Sequence, residues 1–278
     1  SLHCIAIRTS HRVASILPVA VGEIFRKCMA LIQQVDGGRD VPRSRTLGLF
    51  AVATGQVRKF LVEKHAQLKF VKPPKVRATK HKEWRELVQR EFEIEDGRKL
   101  FEMSLSTFGL YLAKSREIVL SPLVVAPLIK QLDEDAPRHK RIAVMHQKAT
   151  IAHEIVHALQ EVHFGLPTKL EAAEEIDEIL RYKWLLEGHA VLVEELVAEG
   201  ELGLEDFMLT GPYGGLAIGL DPSYVRGRNY FQHILRTKGM KGVHAVLRQP
   251  PTHAAMEELA MKPLPPVPKP KKKADPTK

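Results

Sequence analysis

His153-Glu154-Ile155-Val156-His157 is the stretch on which the interpretation of the whole chain depends. Helical periodicity surrounds it, because apolar side chains recur every three or four residues along one stripe. The members of that stripe are Met145, Ala149, Ala152, Val156 and Leu159. On such a helix the two histidines lie one turn apart on the same face. Two imidazoles so placed can bind one Zn2+, and Glu154 is then positioned as general base beside the water that the ion activates.

A third metal ligand is expected, because catalytic zinc usually takes three protein side chains and keeps one position open. Glu187 is the best candidate, since it lies in an apolar run (residues 184–193) where burying an uncompensated carboxylate is costly. Gly188 leaves room beside it for another backbone. The alternative is a surface glutamate on an amphipathic helix, in which case Glu194 and His189 are the next candidates for the third ligand.

The position of Glu187 along the chain imposes a condition on the fold. A straight antiparallel pair of helices would carry Glu187 past the metal by about 16 Å, at a rise of about 1.5 Å per residue. For Glu187 to bind the ion, the chain between residues 166 and 183 has to break or change direction. We therefore predict an interruption there, followed by a separate helix that carries residues 184–197 against the active-site helix.

These motifs resemble those of gluzincin-type zinc metallopeptidases, in which H-E-x-x-H is followed at a distance by a glutamate ligand. The resemblance is narrower to a group of poorly characterised bacterial gluzincin-like proteins, and it covers residues 65–262. Residues 157–164, H-A-L-Q-E-V-H-F, are similar to the H-A-L-Q-x-x-H-F of that group. Residues 187–190 are E-G-H-A where the group has E-G-D-A, and residues 250–257 are P-P-T-H-A-A-M-E where it has P-P-x-S-T-E-Q. These departures affect the surroundings of the ligands and not the ligands themselves.

The resemblance implies an α+β fold: a zincin-like metallopeptidase domain, predominantly helical, with a small sheet beside the active-site helix. It also implies zinc-dependent hydrolysis of a peptide bond in a peptide or protein substrate. His153, His157 and Glu187 would hold the Zn2+. Glu154 would take a proton from the attacking water and pass it to the leaving amine.

Tyr224 is a further catalytic candidate, because Tyr224-x-x-Gly227 is similar to a Y-x-x-G motif of the same group. Its phenol could donate a hydrogen bond to the oxyanion that forms on attack. Packing of an amphipathic side chain is the alternative role for this tyrosine.

A β-hairpin is predicted just before the active-site helix. Its arms are residues 105–113 and 117–120, and residues 114–116 form the turn. In zinc peptidases of the type that this chain resembles, an edge strand beside the active-site helix pairs with the substrate backbone. Residues 117–120 are our candidate for that strand, which an extended substrate would lengthen into a wider sheet. An ordinary core hairpin is the alternative.

Local signals define the other helices. We predict helices at residues 11–34, 44–66, 80–93 and 224–238, the last ending at Gly239. Gly165 and Pro167 mark the end of the active-site helix. Thr168-Lys169-Leu170-Glu171 has the form of a capping box, which predicts that the next helix begins there.

The net charge of +9 is unevenly distributed along the chain. Residues 1–82 carry 16 Lys and Arg against 4 Asp and Glu, whereas residues 83–262 carry 21 against 28. A basic arm attracts polyanions such as nucleic acid or an anionic membrane surface, and a solvated basic face is the alternative. We divide the chain into a basic helical N-terminal extension (1–64), a catalytic domain (65–262) and a disordered tail rich in Pro and Lys (263–278).

The composition, with 44% hydrophobic and 27% charged residues, predicts a soluble globular protein. The two cysteines, Cys4 and Cys28, are too few for a disulfide framework or a zinc knuckle. No transmembrane segment is visible, and the compartment stays open because the chain begins at Ser1.

Two competing classes of function follow from the same features. The first is a non-catalytic zincin-like binding module whose basic arm contacts polyanions. Glu154 argues against it, since a scaffold without activity has no need of the base. The second is a nucleic-acid-associated factor, which only the charge favours, because no nucleic-acid-binding motif accompanies it.

Overall fold

The computed structural model of this chain describes residues 59–122, 138–202 and 222–266. Within these ranges the fold is α+β: mostly helical, with one three-stranded sheet. The strands are β1 (Lys75–Ala78), β2 (Gly109–Leu112) and β3 (Glu117–Leu120). The helices are α1 (His81–Glu91), α2 (Gly97–Ser106), α3 (Arg138–Phe164), α4 (Leu166–Glu171), α5 (Ile176–Leu202), α6 (Pro222–Arg248) and α7 (His253–Ala260). The predicted helix at 11–34 and most of the one at 44–66 lie outside the described residues.

The sheet has the order β1–β3–β2, with β1 parallel and β2 antiparallel to β3. The predicted hairpin is therefore confirmed as the pair β2 and β3. The prediction that residues 117–120 form a substrate-binding edge strand is wrong, because β3 is paired on both sides. Three consecutive buried residues, Ile118, Val119 and Leu120, fit this central position. In the described part of the sheet, β2 is the edge strand that lies against the helix carrying His153 and His157.

The first arm of the predicted hairpin is also too long. Residues 105 and 106 belong to α2, and the strand begins only at Gly109. The carboxylate of Asp96 caps α2 by accepting a 2.7 Å hydrogen bond from the backbone N–H of Lys99. Asp96 is thus a sequence signal for α2, whose last two residues we had assigned to the hairpin.

The predicted end of the active-site helix is confirmed. Helix α3 stops at Phe164, and Gly165 adopts the left-handed conformation that ends many helices. The next helix begins at Leu166 and not at Thr168, so the predicted capping box is wrong. Thr168 instead donates from its backbone N–H and its hydroxyl to the carboxylate of Glu161, at 3.1 and 2.7 Å.

The predicted interruption between residues 166 and 183 is confirmed. Helix α4 ends at Glu171, and after a short non-helical connection α5 begins at Ile176 and carries residues 184–197. Helix α5 packs against both α3 and α6. The chain therefore changes direction before it returns to the active-site helix.

The predicted end of helix 224–238 at Gly239 is confirmed. Gly239 (φ 66°, ψ −171°) is non-helical and interrupts α6, and a second helical segment continues after this kink to Arg248. Near the start of α6, Gly227 meets Gly188 of α5 so closely that a methyl group on Gly188 would overlap the Gly227 backbone. The prediction that Gly188 leaves room for another backbone is confirmed. This crossing brings the first turns of α6 next to the part of α5 that carries Glu187.

Two hydrophobic clusters stabilise the described part of the fold. The larger joins α3, α5 and α6. The smaller joins α1 and α2 to one face of β3 and includes Trp84, Leu87 and Val88 of α1. Residues 59–66 are helical, and Leu61 and Val62 are buried in the larger cluster. The boundary drawn after residue 64 therefore passes through a segment that belongs to the main core.

The C-terminal residues are described as far as 266. The carbonyl oxygen of Pro265 accepts a 2.7 Å hydrogen bond from the guanidinium of Arg236 on α6. The rest of the predicted tail lies outside the described residues. None of the helices described has a stretch both long and apolar enough to cross a lipid bilayer.

Candidate metal centre

His153 and His157 project from the same face of α3 toward α5. Their ring centroids are 4.7 Å apart, and the two rings are nearly perpendicular. His153 is buried and His157 is partly buried, so the pair sits below the surface with limited access to solvent. The one-turn spacing predicted from the sequence therefore places the two imidazoles edge to face.

Glu187 of α5 completes the group. Its Oε2 atom lies 3.1 Å from Nε2 of His153 and 3.7 Å from Nε2 of His157. One potential ligand atom from each of the three residues lies within 4.8 Å of the other two. Ligand atoms around a tetrahedral Zn2+ are about 3.4 Å apart, given bonds of about 2.0–2.1 Å. The two separations from Glu187 are close to this value, and the His-His-Glu group could bind a metal ion.

Glu154, the residue after His153 on α3, lies against strand β2. Its carboxylate accepts a hydrogen bond from the backbone N–H of Tyr111. A Cβ atom on Gly109 would come within 2.8 Å of the Glu154 side chain, so the absence of a side chain there allows the close approach. Burial raises the pKa of Glu154, and the imidazoles of His157 and His153 only partly offset that effect. A higher pKa makes this carboxylate a stronger base near neutral pH.

Among the residues that the structure describes, no strand pairs with the outer edge of β2, and this edge borders Glu154. In an antiparallel pair, residues that bond to the neighbouring strand alternate with residues whose backbone groups face outward. Phe108 accepts from the N–H of Ser121, so the backbone groups of Gly109 and Tyr111 face the open edge. The N–H of Tyr111 is the group that reaches Glu154.

Glu194 is a site residue whose role the sequence did not reveal. Its carboxylate lies 3.1 Å from Nδ1 of His153, and only 2% of the side chain is exposed. It follows Glu187 by two helical turns, so both carboxylates lie on the same face of α5. The sequence suggested Glu194 only as a replacement ligand. Its carboxylate contacts Nδ1 of His153, whereas Nε2 is the nitrogen that faces Glu187. Glu194 is therefore placed to orient the His153 ring and not to join the ligand group.

The two carboxylates change the ionisation of His153. Burial alone would lower the pKa of this imidazole, but hydrogen bonds to Glu187 and Glu194 outweigh burial and raise the pKa well above 6.5. The pKa of Glu187 falls to about 2: burial opposes the shift, and the His157 imidazole together with hydrogen bonds from His153 and Tyr224 outweighs it. Without a metal ion, a protonated His153 thus links two carboxylates.

Tyr224, at the start of α6, contacts two of the three candidate ligands. Its ring stacks on His153 with centroids 6.0 Å apart, and its hydroxyl donates a hydrogen bond to the Glu187 carboxylate. The close crossing of α5 and α6 at Gly188 and Gly227 brings it there. The tyrosine predicted from the Y-x-x-G motif is therefore part of the same cluster.

Gln160 supports His157 from the other side. Its Oε1 atom lies 2.8 Å from Nδ1 of His157, and its amide nitrogen donates to the carbonyl oxygen of Leu186 at 2.9 Å. The same nitrogen lies 3.1 Å from Nδ1 of His189, whose pKa burial lowers to about 3. His189 is thus a neutral, buried partner of Gln160 and does not join the ligand group.

Four other histidines have their contacts away from this group. Three of them place Nε2 within 2.8–2.9 Å of a backbone carbonyl oxygen: His163 at Lys69, His233 at Lys262 and His244 at Ala66. His253 packs edge to face on Trp184. The side chain of His146 lies outside the described part of the chain.

Comparisons with known proteins add no relative to this picture. The chain matches no protein-family model, and neither the curated proteins nor the solved structures include a significant match. Any activity has therefore to be inferred from the chemistry of the site itself.

Proposed function

We propose that this chain is a zinc-dependent metallopeptidase of the gluzincin type, with a zincin-like fold. The observation that carries the proposal is the convergence of His153, His157 and Glu187 on one point, with the buried Glu154 next to them on α3 and against the outer edge of β2. Zinc is the metal of choice because two imidazoles and one carboxylate are a usual ligand set of catalytic zinc. Bound there, the ion would act as a Lewis acid that lowers the pKa of water to about 7 and polarises a carbonyl group.

Glu154 is the general base in this proposal. It would accept a proton from the attacking water and deliver it to the nitrogen of the scissile amide, so that the amine leaves in neutral form. The burial that raises its pKa suits both steps, since the same group has to take up and release a proton near neutral pH. The backbone N–H of Tyr111 holds the carboxylate in place while it does so.

The edge of β2 is the proposed binding site for the substrate backbone. A peptide in extended conformation can add to a sheet edge through main-chain hydrogen bonds. The N–H of Tyr111 is bonded to Glu154, but the N–H and carbonyl of Gly109 and the carbonyl of Tyr111 also face outward. A peptide paired with these remaining groups would pass beside the base. This role moves from residues 117–120, where the sequence placed it, to residues 109–112.

Tyr224 is the proposed oxyanion donor. Its hydroxyl hydrogen-bonds to Glu187 in the metal-free site, so it lies within reach of the metal position. A phenol in that place can donate to the oxygen that gains negative charge on attack.

A Glu154→Gln variant tests the mechanism. The amide cannot accept a proton, so zinc content should be retained while hydrolysis of a random-sequence peptide mixture falls by about 10²- to 10⁴-fold. New amino termini, counted by mass spectrometry, measure the cleavage. Glu161→Gln is the matched control, because it makes the same change about two turns further along α3, where the carboxylate contacts Thr168 and not the candidate ligands. Cleavage by Glu154→Gln at the wild-type rate would rule out this base.

A non-catalytic module with a polyanion-binding arm is the second candidate, and the excess of Lys and Arg in residues 1–82 favours it. Such a module could retain the metal group for stability alone. It gives no reason for a carboxylate buried beside two imidazoles and an open strand edge. The two candidates differ in whether Glu154→Gln has any consequence beyond stability.

A further inference from the structure

Gln160 connects the two helices that supply the candidate metal ligands. It lies on α3, three residues after His157, and its side chain reaches the backbone of α5 at Leu186, the residue before Glu187. The side chain is fully buried, with 0% exposure. A buried amide has to satisfy its donors and its acceptor within the protein, so its contacts are informative about its orientation.

The Leu186 carbonyl fixes which way the amide faces. A carbonyl oxygen can only accept, so the NH2 group of Gln160 faces α5 and its oxygen faces His157. That oxygen can only accept as well, so Nδ1 of His157 carries the hydrogen. The remaining ring nitrogen, Nε2, then presents a lone pair toward Glu187 and the point where the three ligand atoms converge.

His189 is the nearer acceptor for the second hydrogen of the same NH2 group, because the alternative, the Leu185 carbonyl oxygen, lies 3.4 Å from the Gln160 nitrogen. Its Nδ1 atom lies 3.1 Å from the Gln160 nitrogen and therefore acts as acceptor, which leaves the hydrogen of the neutral ring on Nε2. Within the described residues this Nε2 atom is buried and has no hydrogen-bond partner, and the ring rests against Phe231. Burying an N–H group without an acceptor costs free energy, and an apolar side chain at this position would avoid that cost. A histidine is explained here if the site needs Nδ1 to accept a hydrogen bond from Gln160.

We propose that Gln160 and His189 are positioning residues for the metal site. Together they hold His157 in the tautomer that offers Nε2 to the ion, and they tie α5 to α3 next to Glu187. This inference rests on the proposed metal-binding function. It assigns to His189 the task of completing the hydrogen bonds of Gln160.

The tautomer can be tested without metal. In the full-length zinc-free protein labelled with 15N-histidine, long-range 1H–15N correlations at mildly alkaline pH should show His157 as the Nδ1–H tautomer. A His157→Ala variant identifies the signal. Gln160→Met should abolish this preference, because methionine fills the same space without an acceptor for Nδ1. A wild-type His157 with its hydrogen on Nε2 would overturn the proposal, whatever the protein binds.

Zinc affinity provides the second test, measured by chelator competition on the full chain. Gln160→Met and His189→Leu should each weaken binding by about 10- to 100-fold. His189→Asn should stay close to wild type, because its amide oxygen can replace Nδ1 as acceptor. Gln232→Met is the control, since that amide donates to Glu195 and contacts no candidate ligand.

Unchanged affinity in Gln160→Met would refute the role of Gln160. Equal effects of Leu and Asn at position 189 would reduce His189 to packing. If the wild-type protein binds no zinc, the proposed function fails, and the tautomer measurement still decides whether Gln160 orients His157.

Discussion

At the scale of single residues, His153 is the group whose chemistry depends most on the metal. One ring nitrogen faces Glu187 and the other faces Glu194, each at 3.1 Å. In the metal-free protein the imidazolium directs its Nε2–H to Glu187 and its Nδ1–H to Glu194. A metal ion that binds at Nε2 has to displace the proton there. Glu194 then remains as the acceptor that orients the ring.

This arrangement predicts how the stability of the zinc-free protein depends on pH. The folded-state pKa of His153 is raised above its ordinary 6.5, so the ion-paired imidazolium stabilises the fold fully below about pH 6.5. That contribution is lost as the pH rises from there through the folded-state pKa. The free energy of unfolding in urea should therefore decline over this range. Glu194→Gln should flatten the decline, and a wild-type curve that rises instead would contradict the ion pair.

Replacing Tyr224 by Phe separates its two proposed roles. The ring would still stack on His153, so zinc content should be unchanged. Loss of an oxyanion donor should lower kcat by about 10²-fold, with little change in KM. An unaltered kcat in steady-state peptide cleavage would leave the tyrosine with packing and its hydrogen bond to Glu187 alone.

At the scale of elements, the sequence predicted what depends on short-range patterns. The active-site helix, its end at Gly165 and the hairpin of β2 and β3 follow from periodicity and from turn residues. The break before α5 followed from helix length alone, because Glu187 could not otherwise reach the histidines.

The order of the strands did not follow from the sequence. Alternation identifies a strand but not its neighbours, and the pairing of β1 with β3 joins Lys75 to Glu117, far apart in the chain. Glu194 and Gln160 were not predicted as orienting residues, because their roles also depend on how distant parts of the chain pack. Each is an ordinary polar residue on its own helix and acquires its role only from the packing of α3 against α5.

The crossing of α5 and α6 can be tested with one methyl group. Gly188→Ala would place Cβ onto the backbone of Gly227, and the helices would have to separate. We expect a loss of about 1–3 kcal/mol in the free energy of unfolding, together with weaker zinc binding because Glu187 is adjacent. Gly97→Ala is the control, since no atom lies within 4 Å of a Cβ there. Equal stability of the two variants in urea titrations would argue against the close crossing.

At the scale of the whole molecule, the basic region and the hydrophobic core overlap along the chain. The excess of Lys and Arg extends through residues 1–82, yet residues 59–66 already contribute to the main core. His244 of α6 also contacts the carbonyl oxygen of Ala66, which ties this segment to the last long helix. Any separable basic extension therefore has to end before residue 59.

Removing residues 1–58 should separate the two properties. Residues 1–58 carry 8 Lys and Arg against 3 Asp and Glu, whereas residues 59–82 carry 8 against 1 and stay in the shortened chain. The shortened chain also keeps Leu61, Val62 and the candidate metal ligands, so it should bind zinc as the full chain does. Binding to heparin should be weakened but not lost, with elution at a lower salt concentration. Unchanged elution from heparin would place the polyanion surface outside residues 1–58, and lost zinc would show that the removed residues support the site.

The central claim is that His153, His157 and Glu187 together hold one zinc ion, and zinc stoichiometry tests it most directly. After gel filtration of the full-length zinc-loaded protein, elemental analysis should give one zinc per chain. Single His157→Ala and Glu187→Ala variants, shown to be folded by circular dichroism, should have lost it, whereas Glu161→Gln should retain it. One zinc per chain in both ligand variants, or none in the folded wild-type protein, would contradict the account.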